Sequence, residues 1–156
     1  MKILATVLVT AALLTGCNVS FSDGSSKAAK SEAGTEAQQT AVAKAASAFL
    51  GELDSGAVQD TWGQASPYLR QISNQSAWIT GIRALRGSVG AFKSRKLKGM
   101  GFTHTLDGAP TGDYAAIAFD TTFSNSTVQE KVVLQNGDGK WKVLGYFLSK
   151  SFKTHL

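Results

Sequence analysis

The sequence predicts an α+β domain in which N-terminal helices pack on a curved, four-stranded antiparallel sheet. Two observations support this class. Between Glu36 and Arg86, apolar residues recur at spacings of three and four, as they do in amphipathic helices. From Ala91 onward, apolar and polar residues alternate, and turns rich in Gly and Asn separate the alternating segments. A chain that has its helices first and its strands afterwards is typical of the α+β class.

The first part of the helical region predicts two helices and one further helical turn. The first helix spans Glu36–Asp54, contains no proline, and ends before Gly56, which suits the left-handed position that follows a helix. A short second helix is predicted from Ala57 to about Gln64. Ser66–Pro67 can begin another turn, because proline is tolerated at the first position of a helix.

The third helix is predicted from about Gln75 to Arg86, with Asn74 or Ser76 as its N-cap and Gly87 as its end. Arg86 falls on the same helical face as the isoleucines one and two turns before it. We therefore expect a structural arginine, with a buried stem and a guanidinium group that bonds to strand carbonyls.

The four predicted strands are Ala91–Leu106, Asp113–Phe123, Thr127–Gln135 and Lys140–Leu148. Gly99 and Gly101 predict a bulge or bend in the first strand. The segment Asn136–Gly139 predicts a tight hairpin, because Asn and Gly tolerate positive φ. Alternation in the third strand places Val128, Val132 and Leu134 on one face and Lys131 on the other. The tryptophans Trp62, Trp78 and Trp141 are expected in the core.

The first 34 residues are expected to lie outside this domain. Lys2 precedes an apolar run that ends at Leu14, and the segment Leu14–Cys17 resembles the lipobox of a bacterial lipoprotein signal peptide. The run is shorter than the about 20 residues that span a bilayer. The resemblance implies a signal peptide at residues 1–16, cleavage before Cys17, and a diacylglycerol on its sulfur. An ordinary secretory signal with a cysteine nearby is the alternative.

Residues 17–34 are rich in Ser, Ala and Gly and are expected to form a flexible tether to a single domain at residues 35–156. By analogy with lipoprotein sorting, Asn18 in place of an aspartate favours the periplasmic face of the outer membrane. Because Cys17 is the only cysteine, the mature protein has no disulfide and depends on its own core for stability.

A cluster of cations is the clearest charge feature of a chain whose formal net charge is +5. The members of this predicted basic patch are Arg83, Lys93, Arg95, Lys96 and Lys98. Such a patch fits anionic lipid, an envelope polymer or a partner protein, and nucleic acid is not expected for an exported, tethered protein. The alternative is a solvated face that aids solubility.

Polar residues on the strands define a predicted pocket, whose members are Asp120, Tyr114, His104 and Tyr146. Asp113 follows a Gly-containing loop and is expected in a turn. His104 and His155 are the only histidines, and neither has the spacing to other ligands that a metal site requires. The sequence therefore predicts no metal, no cofactor and no catalytic constellation.

Several blocks in a fixed order resemble DUF4019, a family of small exported bacterial proteins of unknown function. The blocks are Trp78 with Arg86, Val89–Ala91 with Ser94–Lys98, Gly108–Tyr114, Phe119–Phe123 and Gly139–Phe147. The resemblance implies an exported protein, often with a lipoprotein signal, and supplies no functional residues. By analogy of fold alone, the order of elements is also similar to the NTF2-like, cystatin-like cone.

These observations favour a membrane-anchored envelope lipoprotein that serves as a binding or accessory module and not as an enzyme. One alternative is a cryptic NTF2-like isomerase or hydrolase that uses Asp113 or Asp120 with Tyr114 or Tyr146. The other is a structural module that forms a homodimer through its sheet.

Overall fold

The structure is a computed structural model that describes residues 31–150. The helices are α1 (Glu36–Asp54), α2 (Pro67–Ile72) and α3 (Gln75–Val89), with a 3₁₀ helix at Val58–Gln64, and the strands are β1 (Phe92–Thr103), β2 (Asp113–Phe123), β3 (Thr127–Gly137) and β4 (Lys140–Lys150). The predicted α+β class is thus confirmed. The signal segment, the lipobox, most of the predicted tether and His155 lie outside the described residues. Among the described helices, none has the length and hydropathy of a bilayer-spanning segment.

The sheet is a meander in which each strand pairs antiparallel with the next, in the order β1-β2-β3-β4. The predicted hairpin between β3 and β4 is present, and its two central residues, Asp138 and Gly139, have φ values of 54° and 74°. Positive φ at both positions defines the type I′ turn, whose twist matches that of the strands it joins. The predicted irregularity in β1 falls between Leu97 and Gly99, and a second one falls between Phe92 and Ser94.

The core lies between α1 and the face of the sheet that we call the inner face. The Thr35 side chain caps α1, and Gln38 bonds back to the cap, so the helix starts where the sequence predicts. Fully buried Val42 and Phe49 on α1 belong to one cluster with Ile117 of β2 and alternate residues of β3 and β4. Because side chains alternate along a strand, the residues between these core positions define the outer face.

Helix α3 ends three residues later than the sequence predicts. It continues through Gly87 to Val89 and stops at Gly90, which has φ 85°. Glycine inside a helix costs about 1 kcal/mol, but the extra turn buries Val89 against Phe123 and Val128. This apolar contact, which is remote in sequence, decides where the helix ends.

Both edges of the sheet are covered at the same end. The Glu32 backbone exchanges hydrogen bonds of 2.8 and 2.9 Å with Phe102 of β1, and Ser66 N–H donates to the Val143 carbonyl of β4 at 2.7 Å. Glu32 precedes the predicted domain boundary at residue 35, so the folded unit begins earlier. The remainder of the β1 edge carries lysines and both strand irregularities, two features that natural sheets use against edge-to-edge association.

Candidate functional site

A carboxylate lies in the middle of the inner face. Glu130 of β3 alternates with Val128 and Val132 and is fully buried, although it is charged. Removing a carboxylate from water is costly unless the group is paired and hydrogen-bonded. The partners of Glu130 therefore decide whether this position is a reactive group or a structural one.

Every lone-pair position of Glu130 has a partner. Oε1 accepts from the Tyr146 hydroxyl at 2.6 Å and from Arg86 Nη1 at 3.1 Å. Oε2 accepts from Arg95 Nε at 2.7 Å and from the Thr121 hydroxyl at 2.8 Å. These donors come from α3, β1, β2 and β4, so one carboxylate joins four other elements to β3.

A second carboxylate closes these contacts into a cycle. Asp54, the last residue of α1, accepts from Arg86 Nη2 at 2.7 Å through Oδ1 and from Arg95 Nη1 at 2.8 Å through Oδ2. Asp54, Arg86, Glu130 and Arg95 thus alternate in sign around a closed cycle, which we call the charge ring. Its formal charge is zero.

Aromatic rings and burial shape the electrostatics of the charge ring. The guanidinium carbon of Arg86 lies 4.6 Å from the centre of the Phe123 ring, and that of Arg95 lies 4.5 Å from the centre of the Phe92 ring. Burial acts to lower the pKa of both arginines, but hydrogen bonds prevail and raise it. Those of Arg86 are to Tyr146 and Asp54, and those of Arg95 are to Asp54 and Glu130. Both therefore remain cationic.

Tyr146 is held in its neutral form. Burial raises the pKa of its hydroxyl group well above the ordinary value, and the adjacent Glu130 carboxylate raises it further. A neutral hydroxyl can donate to Glu130, whereas a phenolate would repel it. The charge ring and its neighbours are thus fully paired, with no base left over for proton transfer, and their evident role is to fix the helices against the sheet.

The structure changes the composition of the predicted basic patch. Arg95 belongs to the charge ring, with a side chain only 15% exposed, because it points to the inner face and finds two carboxylates there. Arg83 donates to Gln59 at 3.3 Å on the outside of α3. Lys93, Lys96 and Lys98 are exposed, as a solvated patch requires.

The structure does not bring the four predicted pocket residues together. His104 and Tyr114 line a cavity of about 40 Å³ at one end of the sheet, whereas Tyr146 bonds to Glu130 in the interior. Asp120 is half-exposed on the outer face, 3.4 Å from Lys98 Nζ. The separation arises because Asp120 and Tyr146 lie on opposite faces of the sheet, whereas His104, just after β1, and Tyr114, near the start of β2, lie at one end of it.

The small cavity contains one oriented polar pair. Asp113, which begins β2, has Oδ1 2.7 Å from His104 Nδ1, and both side chains are substantially exposed. Tyr114 donates to the Pro110 carbonyl at 2.5 Å, and burial raises its pKa. Within residues 31–150, no group of three His, Cys, Asp or Glu residues could hold a metal ion.

The outer face extends beyond the predicted basic patch, and Lys131 lies on it as the alternation of β3 predicts. Lys131 and Lys142 project from it on β3 and β4, so they extend the cationic surface that Lys96 and Lys98 begin on β1. A groove of about 190 Å³ opens on this face, and its lining is Leu106, Asp107, Lys131, Val133, Leu144, Gly145 and Phe147. The period-two pattern of β3 places Lys131 in phase with Val133. The pairing of Lys131 with Phe147 follows from the register between β3 and β4.

The fold and the charge ring define an α+β domain held by a buried, neutral cycle of ion pairs. The family model described as a protein of unknown function (DUF4019) matches residues 45–146, which is more than half of the chain. The chain therefore belongs to the DUF4019 family. The matched range contains all four residues of the charge ring and ends at Tyr146. No curated protein and no solved structure matches the chain.

Proposed function

We propose that this chain is a lipid-anchored module of the bacterial cell envelope that acts by binding at its surface. The observation that carries the proposal is the outer face of the sheet, where Lys131 borders an apolar groove and the exposed Phe147, and further lysines lie on the same face. Apolar grooves and patches that are rimmed by polar residues mark interaction sites on many proteins. The lipobox-like segment Leu14–Cys17 supplies the anchor.

The interior supports binding over catalysis. The charged groups at the centre of the described domain neutralise one another, and Glu130 has no lone pair free to accept a proton from a substrate. A general base needs an available lone pair within hydrogen-bonding reach of the proton it removes. The charge ring therefore stabilises the fold, and we assign binding to the outer face of the sheet.

The anchor is tested by expressing the full chain in a Gram-negative bacterium and comparing it with Cys17→Ala. We expect the natural sequence to fractionate with membranes, to incorporate labelled fatty acid, and to yield an N-terminal peptide whose mass corresponds to diacylglyceryl-cysteine. Cys17→Ala should lose the label. Unlabelled natural protein, or a label that persists in Cys17→Ala, would contradict lipid anchoring at this residue.

A second candidate function is favoured by one observation, the 2.7 Å contact between His104 and Asp113 beside a cavity. A carboxylate that orients a histidine ring is a common arrangement for a general base. Purified full chain would be assayed with panels of esters and enolisable ketones. Turnover that is lost in His104→Ala and retained in His155→Ala would assign catalysis to this pair, and the absence of turnover would favour the binding module.

A further inference from the structure

We propose that the outer face of the sheet docks on the anionic lipid surface of the membrane that anchors the protein. This inference deepens the proposed function and rests on it. The occupant is the bilayer surface itself, which phosphatidylglycerol or another anionic phospholipid provides. Three features favour this occupant: the charge of the face, its exposed aromatic residue, and the short chain between Cys17 and the domain.

Lysines outnumber the acidic residues Asp107 and Asp120 on the outer face. Strand alternation places Lys96, Lys131 and Lys142 on this face, and Lys98 reaches it through its contact with Asp120. Among residues 31–150, only Lys98 of these four lysines has a carboxylate partner. Lysines near an anionic bilayer each add to its attraction, and the attraction extends over about one Debye length.

An exposed apolar residue on the edge strand β4 lies beside one of these cations. Phe147 is 45% exposed, and the Lys131 ammonium group lies 5.2 Å from the centre of its ring. The ring also covers Gly145, where an added Cβ would come within 2.8 Å of it. Glycine at this position therefore lets Phe147 lie along the groove beside Leu144. An exposed aromatic ring beside a lysine, on a face that carries further lysines, has the amphipathic character of surfaces that bind at the lipid headgroup boundary.

Because the domain is connected to the lipid anchor by a short chain, even a low affinity of the outer face for the bilayer is enough for docking. Glu32 is fixed against β1, and fourteen residues from Cys17 to Lys30 precede the described domain. Their fully extended length is at most about 50 Å, which is comparable to the size of the domain. A link of this length gives the outer face an effective concentration in the millimolar range at the bilayer. Even a contact with millimolar affinity would then be substantially occupied.

The test uses the lipidated full chain reconstituted in vesicles of phosphatidylglycerol and phosphatidylethanolamine. Because the Cys17 thiol is consumed by its thioether, an introduced cysteine is the one thiol available to a fluorescent label. Ser149→Cys lies on the outer face two residues beyond Phe147, and Ser47→Cys lies on the exposed side of α1, so the two form a matched pair. Lipids with spin-labelled headgroups quench a label that is held at the bilayer surface.

We expect strong quenching at position 149 and weak quenching at position 47. Phosphatidylcholine vesicles or high salt should abolish the difference, because both remove the electrostatic attraction. Lys131→Ala should lower the ratio of docked to free protein about five-fold, as expected for one lysine near an anionic surface. Phe147→Ser should lower it as well, whereas Lys131→Arg should preserve it.

Vesicle flotation separates this inference from the anchor. Protein that floats with the vesicles but shows equal quenching at the two positions contradicts docking and leaves the anchor intact. Protein that does not float contradicts the anchor and the docking together. If position 149 is unquenched but crosslinks to an envelope protein in cells, the face binds a protein partner, and the lipid proposal is overturned.

Discussion

Glu130 and Tyr146 are joined by a 2.6 Å hydrogen bond between neighbouring strands, although they are not direct cross-strand partners. Glu130 pairs with Leu148, and Tyr146 pairs with Val132, so the bond runs diagonally across the inner face. Long side chains can reach a diagonal neighbour in an antiparallel sheet. The diagonal contact brings the hydroxyl group within 3.4 Å of Arg86 Nη1 and makes β4 part of the same polar cluster.

Removal of the Glu130 charge should strongly destabilise the domain. In Glu130→Gln, two buried guanidinium groups would share Asp54 alone, and breaking a buried ion pair in this way typically costs about 3 to 5 kcal/mol. Urea unfolding followed by circular dichroism measures the change. Gln129→Ala alters the outer face of the same strand and should stay within about 0.5 kcal/mol of the natural sequence. Similar losses in both variants would contradict a structural charge ring.

Tyr146 should make the domain sensitive to alkaline pH. Its pKa is raised in the folded state, so above about pH 10 the unfolded chain releases the hydroxyl proton while the folded chain keeps it. The unfolded state then binds fewer protons, and the free energy of unfolding falls as pH rises. This contribution to stability is complete below pH 10 and is lost progressively above it.

Tyr146→Phe has no such proton to release. The variant should lose about 1.5 to 3 kcal/mol at neutral pH, because it lacks a hydrogen bond to a charged acceptor, but its stability should decline less between neutral and alkaline pH. Tyr114, whose pKa burial also raises, should retain a smaller alkaline effect in this variant. Parallel alkaline profiles for the natural protein and Tyr146→Phe would contradict the assignment.

Two glycines three residues apart should respond oppositely to alanine. Gly87 lies inside α3 with no atom within 4 Å of an added Cβ, so Gly87→Ala should stabilise by about 0.5 to 1 kcal/mol. Gly90 has φ 85°, and an added Cβ would lie 2.1 Å from Ser124 Oγ. Gly90→Ala should therefore destabilise by more than about 2 kcal/mol. Thermal unfolding of both variants tests whether α3 ends at Gly90 or at Gly87. If α3 ended at Gly87, Gly87→Ala would be the destabilising variant.

Core packing predicts a difference between two neighbouring aromatic residues. Phe49 is fully buried, and its truncation to alanine should cost about 3 to 5 kcal/mol. Trp78 packs 6.2 Å from Phe49, centre to centre, and donates to the Thr61 hydroxyl at 3.0 Å, but it remains partly exposed. Trp78→Ala should therefore cost less than Phe49→Ala in the same urea titration. The reverse order would show that α3 packs more tightly than described.

The regular elements could be predicted because local patterns specify them. The bounds of α1 and β2 agree with the alternation and capping signals, and the type I′ turn follows from Asp138 and Gly139. The end of α3 could not be predicted in this way, because burial of Val89 against β2 and β3 overrides the glycine. A local signal is reliable where tertiary contacts agree with it.

The candidate site was less accessible to sequence reasoning. Burial of the Arg86 stem was predicted, but its partners were expected to be strand carbonyls, and the structure gives carboxylates that lie 32 and 44 residues away. Glu130 did carry a signal, because it falls in phase with Val128 and Val132. A charge at a core position predicts a buried partner. Which cations pair with Glu130 depends on how α3 and β1 pack against β3, and no local sequence pattern contains this information.

The charge ring also has a consequence for the time course of folding. The hairpins of the meander close short loops, whereas the ring joins residues 41 and 44 positions apart, from α1 to β1 and from α3 to β3. Contacts of this separation, which must also desolvate four charges, are expected to form after the folding transition state. Interactions that form late govern the rate of unfolding more than the rate of folding. The charge ring is therefore expected to slow unfolding and so to lengthen the lifetime of the folded domain.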